Sequence, residues 1–293
     1  MANHARKLCQ LYDSLNEQGE LTVFDNKYAD YIEFNQYNFD TERVVNYWQE
    51  RMANVHPLDL PHSSQKTTLL RRHVKVTEDK LDKIRHFCRR HKVTPSHYFK
   101  CLTGVVLKYY SNAQNDFYIS ELAAGRPKGH GESYGCYIHL MPFIFAAEAL
   151  ASKCSITALF EYARSFQRES RGFQFLSNLQ RNQYLPNNGV GFMYNYYGFI
   201  PEVVEVQGKE GGFESYSPYP ENNIHMMVHE ESSAVYINLE FRENLFDDFG
   251  FLDRLLEISD QVLAGTEHIG DLQFVSCSET DLLLKQWSAA SSG

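Results

Sequence analysis

At 293 residues the chain can bury a substantial core, as one large domain or two small ones. Its 43% hydrophobic and 22% charged residues are the balance of a soluble globular protein, and 28 Lys+Arg against 37 Asp+Glu leave a net charge of -9 with no long basic run. This excludes phosphate-backbone binding, so no nucleic-acid partner is expected. No apolar stretch reaches the length of a signal core or a membrane span, which makes a cytoplasmic protein without a membrane partner the expectation.

In chain order, residues 4–18 read as a short amphipathic helix with Leu8, Leu11, Tyr12 and Leu15 on one face. An aromatic, Asn-rich passage from Tyr28 to Phe39 follows, then a helix carrying Val44, Val45, Tyr47 and Trp48. Pro57 and Pro61 close that unit, and His62–Lys66 reads as an exposed linker. Leu69–Val76 is a strand, and Thr77 is placed to cap a helix whose first turn holds Glu78 and Asp79, as the helix dipole favours. Thr94-Pro95 supplies an N-cap and a first-turn proline for the next helix. Phe117–Leu122 is a strand, Gly125–Gly131 a loop, and Cys136–Phe145 a second strand. Ser155 begins a helix that runs to about Arg168, and Val190–Tyr197 alternates as a strand. Ile224–His229 and Val235–Phe241 form a hairpin around Glu231-Ser232-Ser233, and a last helix spans roughly Asp247–Leu263. Nineteen Tyr and twenty Phe suit such β-rich packing. Mixed strands and helices without a repeat predict an α/β (α+β) sandwich, a mixed sheet flanked by helices.

Gly131-Glu132-Ser133-Tyr134-Gly135 fits the G-x-S-x-G string of a hydrolase nucleophile elbow. That elbow needs a strand entering and a helix leaving. Here Arg126–His130 precedes Ser133 as a loop and a strand-like run follows it, so the context predicts an exposed loop serine. Twelve histidines raise the question of a metal. His225 and His229 share a strand face about 13 Å apart, too far for one ion. His86, His91 and His97 lie on or between helices without a ligating pattern and are expected at the surface or half-buried. No metal site is expected. The six cysteines are scattered without a C-x-x-C pair, consistent with reduced thiols, and none has the basic setting of a reactive thiolate.

A set of weak motifs in a fixed order carries further. Tyr28-Ala-Asp-Tyr31-Ile-Glu-Phe34 resembles the Y-x-D-[FY]-x-x-[WF] motif of the condensation domains of nonribosomal peptide synthetases. Tyr47-Trp48 followed by Leu58-Asp-Leu-Pro61, then Val93-Thr94-Pro95, then Ser120–Pro127 ending in Gly125-Arg126-Pro127, match its next passages. Tyr134-Gly135-Cys136-Tyr137-Ile138-His139 stands where the family has I-G-x-F-V-N, with His139 in place of the usual Asn. Phe192-Met193-Tyr194-Asn195-Tyr196 matches a late F-N-Y strand, and Asn244–Asp247 the start of the last helix. Ser278–Trp287 is similar to the linker that leads towards an adenylation domain.

The resemblance implies a chloramphenicol-acetyltransferase-like fold of two lobes. It also implies transfer of an acyl or peptidyl group from a carrier-protein thioester to an acceptor amine. Arg126, Tyr134, Gly135, His139 and Asn195 would form an active-site wall or its support, with Arg126 in a structural role. The family's H-H-x-x-x-D-G signature is absent, and no adjacent His-His occurs in the chain. The expectation is therefore a C-terminal lobe that begins just after the catalytic histidine and is probed best beside its N-terminal lobe. Residues 1–66 would be a helical inter-lobe arm, 67–275 the lobe, and 276–293 the start of a linker. No directly bound cofactor is implied, because substrates ride on the phosphopantetheine of carrier proteins. Those carriers, the N-terminal lobe and a following adenylation domain are the implied partners. A non-catalytic docking module is the alternative reading, and a serine hydrolase at Ser133 a remote one. The family's later H-Q-x-x-P-F-E motif is degraded to Arg171-Gly172-Phe173-Gln174-Phe175, so substrate preference is not legible there.

Overall fold

The computed structural model describes residues 27–37, 40–126, 128–130, 133, 135, 137–174, 191–199, 204–206, 209–211, 223–231 and 234–275. The helix expected over residues 4–18, Tyr134 and the motif of residues 278–287 lie outside them. The described elements are α1 (Tyr28–Tyr37), α2 (Thr41–Met52), β1 (Leu69–Val76), α3 (Glu78–His91), α4 (Pro95–Ser111), β2 (Phe117–Ala124), β3 (Ile138–Phe145), α5 (Ile156–Ser170), β4 (Gly191–Phe199), β5 (Val204–Val206), β6 (Lys209–Gly211), β7 (Asn223–Glu230), β8 (Val235–Arg242) and α6 (Phe251–Leu263).

Six strands form one mixed sheet in the order β1-β8-β7-β4-β2-β3. The outer pairs are antiparallel, whereas β7, β4 and β2 run parallel. This is the expected mixed sheet flanked by helices. The β7–β8 hairpin closes through the Glu231 amide on the Ala234 carbonyl, 2.8 Å. The pairing of β2 with β4 is short: only Ser120 with Met193 and Glu121 with Tyr194 are in register. Beyond those pairs the two strands diverge at their carboxyl ends.

The pleat sends alternate residues to opposite faces. Ile119, Phe143, Tyr194, Met226 and Leu239 are buried on the face that meets the helices, while Asn195, His225, Met227 and Glu240 are buried on the other. α4 is central. Eleven of its residues are buried in an unbroken run from His97 to Leu107, so it is apolar on nearly all sides and needs cover all round. It packs against α3, α5 and α6, with Tyr98 stacked on Phe160 of α5. Trp48 of α2 is fully buried, and its indole N–H donates to the Phe173 carbonyl at 2.9 Å. Val44, Trp48, Leu58 and Leu60 thus share one core with the sheet.

Caps and breaks follow the local chemistry with two exceptions. Thr94 accepts from the His97 amide at 3.2 Å and Ser155 from the Ala158 amide at 3.1 Å, so both hydroxyls satisfy donors that the helix itself leaves open. Thr77 occupies the N-cap of α3, but its side chain makes no capping bond. α6 starts at Phe251 rather than Asp247, because Phe249 and Gly250 both have left-handed backbone, φ 36° and 74°. Within the aromatic, Asn-rich passage from Tyr28 to Phe39, to which the sequence assigns no element, Tyr28–Tyr37 is helical. Among the described residues, no helix is long and apolar enough to cross a membrane.

Candidate active-site wall

The loop between β2 and β3 is built around Arg126. Its Nη1 donates to the carbonyls of His130, 2.8 Å, and Ser133, 2.6 Å, while the guanidinium lies 4.1 Å from the centre of the Tyr137 ring. The Gly125 amide donates to the Tyr137 carbonyl at 2.7 Å and closes the loop at its neck. The Tyr137 hydroxyl donates to Ser133 Oγ at 2.9 Å and lies 3.3 Å from His130 Nδ1. A planar, always-charged fork holding two carbonyls while stacked on an aromatic face is a role that lysine cannot fill. Arg126 is the staple of this loop.

The expectation of an exposed Ser133 is corrected. Ser133 is buried, and its hydroxyl is engaged by Tyr137. The chain leaves this loop into strand β3 rather than a helix, so the bend that would present a nucleophilic serine is not formed.

α1 docks on this loop. Tyr28 and Tyr31, three residues apart, share a helix face. Tyr31 lies 4.6 Å and Tyr28 5.1 Å from Tyr137, centre to centre, and the Tyr31 hydroxyl is hydrogen-bonded to His139 Nε2. Gly135 has φ 148°, and a Cβ there would meet the Tyr28 ring at 2.0 Å. Gly125 leaves equally little room beside His139, where a Cβ would meet the imidazole at 2.4 Å. Five residues from distant motifs, Tyr28, Tyr31, Arg126, Gly135 and His139, therefore form one cluster. The coupling between Tyr31 and His139 was not read from the sequence, although the i, i+3 tyrosines were its signal.

Asn195 does not join that cluster. His139 is the register partner of Ala123, and Glu121, two residues before it on the same face, is the partner of Tyr194. His139 is thereby on the helix-facing side, whereas Asn195, one residue on from Tyr194, is buried on the opposite side. There it hydrogen-bonds with Tyr197, whose phenol burial pushes up while that bond pulls it down.

Where β2 and β4 part, a crevice of about 190 Å³ opens, lined by Ser96, Glu121, Gln167, Arg171, Tyr194 and Tyr196 among others. Crevices at the carboxyl ends of parallel strands are the usual ligand positions of open sheets. Several lining residues are tied to buried polar partners. Lys100, 1% exposed, is ion-paired with Glu121, and its Nζ is 4.1 Å from the centre of the Phe143 ring. The Tyr194 hydroxyl donates to the Ser96 carbonyl at 2.9 Å, and Tyr196 is hydrogen-bonded to Glu230. His97, expected at the surface or half-buried, is 7% exposed. Its Nδ1 is 2.7 Å from Thr94 Oγ1, and burial lowers its pKa to about 4. It is a neutral imidazole at physiological pH.

The thiols are inert by the same logic. Burial pushes Cys88 and Cys101 up to about 12, which removes thiolate character at neutral pH. Among the described residues no group of three His, Cys, Asp or Glu side chains could hold a metal ion. The crevice, rather than the Tyr137 cluster, is where Glu121, Arg171, Tyr194 and Tyr196 come together.

Comparison with known proteins gives one consistent result. The family model for the condensation domain matches residues 5–284. A nonribosomal peptide synthetase, ungA of Aspergillus violaceofuscus, is 28% identical over 143 residues, 46% of this chain and 1% of that protein. The solved first condensation domain of the CDA synthetase superimposes with a TM-score of 0.75 at 13% identity, covering 94% of this chain and 64% of that one. A holo four-domain nonribosomal peptide synthetase bound to AMP and glycine gives 0.68 at 15% identity, covering 82% of this chain and 20% of that one. The structural likenesses show the shared fold. The chain spans under two thirds of each of these relatives.

Proposed function

Since the chain belongs to the condensation-domain family, we propose that it works as the C-terminal, acceptor-side lobe of a nonribosomal peptide synthetase condensation domain. In that reading residues 67–275 are the lobe, 1–66 an inter-lobe arm whose α2 is built into the lobe's core, and 276–293 the start of a linker. The observation that carries it is the convergence of Tyr28, Tyr31, Arg126, Gly135 and His139, which belong to three separate family-like motifs, on one wall.

The chemistry is transfer of an acyl or peptidyl group. The acceptor nitrogen attacks a carrier-bound thioester carbonyl, the C–N bond forms, the C–S bond breaks and the carrier thiol leaves. The amine must be held against the carbonyl and must lose a proton. The chain has no adjacent histidine pair, so the proton-handling histidine is assigned to a partner N-terminal lobe, and this chain alone is inactive. Its share is to position the acceptor. Carrier domains bearing phosphopantetheine are the substrate-delivering partners, and an adenylation domain is the expected neighbour. No cofactor is bound directly.

The test mixes the chain with a matching N-terminal lobe and two loaded carriers, and follows amide product by mass spectrometry. Product should need both lobes. Rapid amide formation by this chain alone would refute the divided site. Carrier binding without turnover in the complete mixture would instead favour a docking module.

A further inference from the structure

Most polar groups of the crevice between β2 and β4 are engaged within the protein. Glu121 is ion-paired with Lys100, and Gln167 is hydrogen-bonded with His97. The Tyr194 hydroxyl donates to the Ser96 carbonyl at 2.9 Å, and Tyr196 is hydrogen-bonded to Glu230. Three lining groups remain. The Arg171 guanidinium, the Gln174 carboxamide and the Ser96 hydroxyl have no hydrogen-bond or ion-pair partner among the described residues. All three can donate, and Lys100 and Glu121 cancel each other, so the charge of Arg171 stands unbalanced. Arg164 and Arg168 share its face of α5 at i, i+4 and i+7, but they donate to the Lys92 carbonyl, 3.5 Å, and the Ser165 hydroxyl, 3.3 Å. Glu169, the carboxylate of that stretch, is paired with Arg51 at 2.7 Å.

We infer that this crevice is a carboxylate subsite that selects an acceptor with an acidic side chain, of the aspartyl or glutamyl class. A guanidinium is a planar fork that holds two carboxylate oxygens at once, and Gln174 and Ser96 add donors from the same lining. The unbalanced positive charge works against a cationic side chain. The volume, about 190 Å³, is below the roughly 300 Å³ from which pockets hold a whole drug-sized ligand, so it suits a side chain and not a peptidyl chain. Only Leu122 and Ala123 of its nine lining residues are apolar, which works against an aliphatic acyl group. Ala123 is also the register partner of His139, so the crevice adjoins the wall. The inference rests on the acceptor-side reading of this chain.

Glutamic acid α-amide and glutamine α-amide differ only in a carboxylate against a carboxamide, and neither carries a thioester. Titrated into the isotope-labelled full-length chain and followed by NMR, the acid should bind about fivefold more tightly, the size of an ion pair at a solvent-exposed mouth. The preference should shrink at about 1 M salt. Arg171 is exposed, so Arg171→Gln should keep its far-ultraviolet circular dichroism and bind the two amides equally. Arg171→Lys, which keeps the charge without the fork, should retain part of the preference. Equal binding by the unaltered chain, no binding of the acid, or a preference that Arg171→Gln leaves intact overturns the inference. Displacement of the acid by an equal concentration of inorganic phosphate also overturns it, since the crevice would then be a general anion site. A second arm compares glutamyl and glutaminyl carriers in the two-lobe mixture. Amide formation without preference refutes the subsite and leaves the condensation reading standing. Selective binding without any amide product refutes that reading and leaves a carboxylate site.

Discussion

Replacing Lys100 by methionine removes one charge of its pair with Glu121, a lining residue of the crevice, and leaves the other. Lys100 lies in the middle of α4 with 1% of its side chain exposed, its partner Glu121 retains 14%, and its Nζ is 4.1 Å from the centre of the Phe143 ring. Methionine matches the length and apolar stem of lysine, so the packing change is small and the electrostatic change dominates. Unit charges about 4 Å apart attract by about 4 kcal/mol at an effective dielectric of about 20. Stranding one member of a buried pair costs about 3–5 kcal/mol. Glu121 keeps some contact with the crevice, which places the expected loss near the lower end, about 3 kcal/mol. The double variant Lys100→Met/Glu121→Gln removes both charges and should recover most of that loss, because no uncompensated charge remains. Urea unfolding followed by circular dichroism reads both. A single variant that loses under about 1 kcal/mol, or a double variant no more stable than the single, would show that the pair is not the buried unit argued here.

Acid should destabilise the fold through His97. Burial lowers its folded pKa from 6.5 to about 4, so the unfolded chain takes up the proton first. The stabilising contribution is complete above about pH 6.5 and is lost as pH falls through 4, up to about 3 kcal/mol. His97→Gln should flatten the stability profile in that window, and parallel profiles would refute the assignment. At the wall, Gly135→Ala should lose clearly more stability than Gly129→Ala. Both glycines have positive φ, 148° and 88°, but only at Gly135 does a Cβ meet the Tyr28 ring, at 2.0 Å, whereas nothing lies within 4 Å at Gly129. Backbone strain of about 1–3 kcal/mol is common to both, so the difference reports the contact with α1. Equal losses would show that α1 is not seated on the loop.

Much of the architecture was legible because it is local. β1 is found where the sequence places a strand, Leu69–Val76, and α4 follows Thr94-Pro95, whose capping chemistry acts within one turn. The β7–β8 hairpin followed from two apolar runs separated by a short polar turn. α1 is not legible in its own residues, because its tyrosines find their partners on a loop about a hundred residues away. The start of α6 moves from Asp247 to Phe251 because the left-handed bend at Phe249 is anchored by the Tyr110 hydroxyl on the Phe249 carbonyl, not by a residue nearby in sequence.

The chain by itself determined the order of elements, the family-like motifs and the absence of the histidine pair, because each is carried by neighbouring residues or by residue identity. Only the tertiary structure decided what the motif residues do together. It turned Arg126 into a loop staple, buried Ser133, joined Tyr31 to His139 and placed Asn195 on the opposite face from His139. The physical reason is that pleat, register and burial depend on which strands pair. The parting of β2 from β4 leaves no mark on either strand's own residues, yet it opens the crevice.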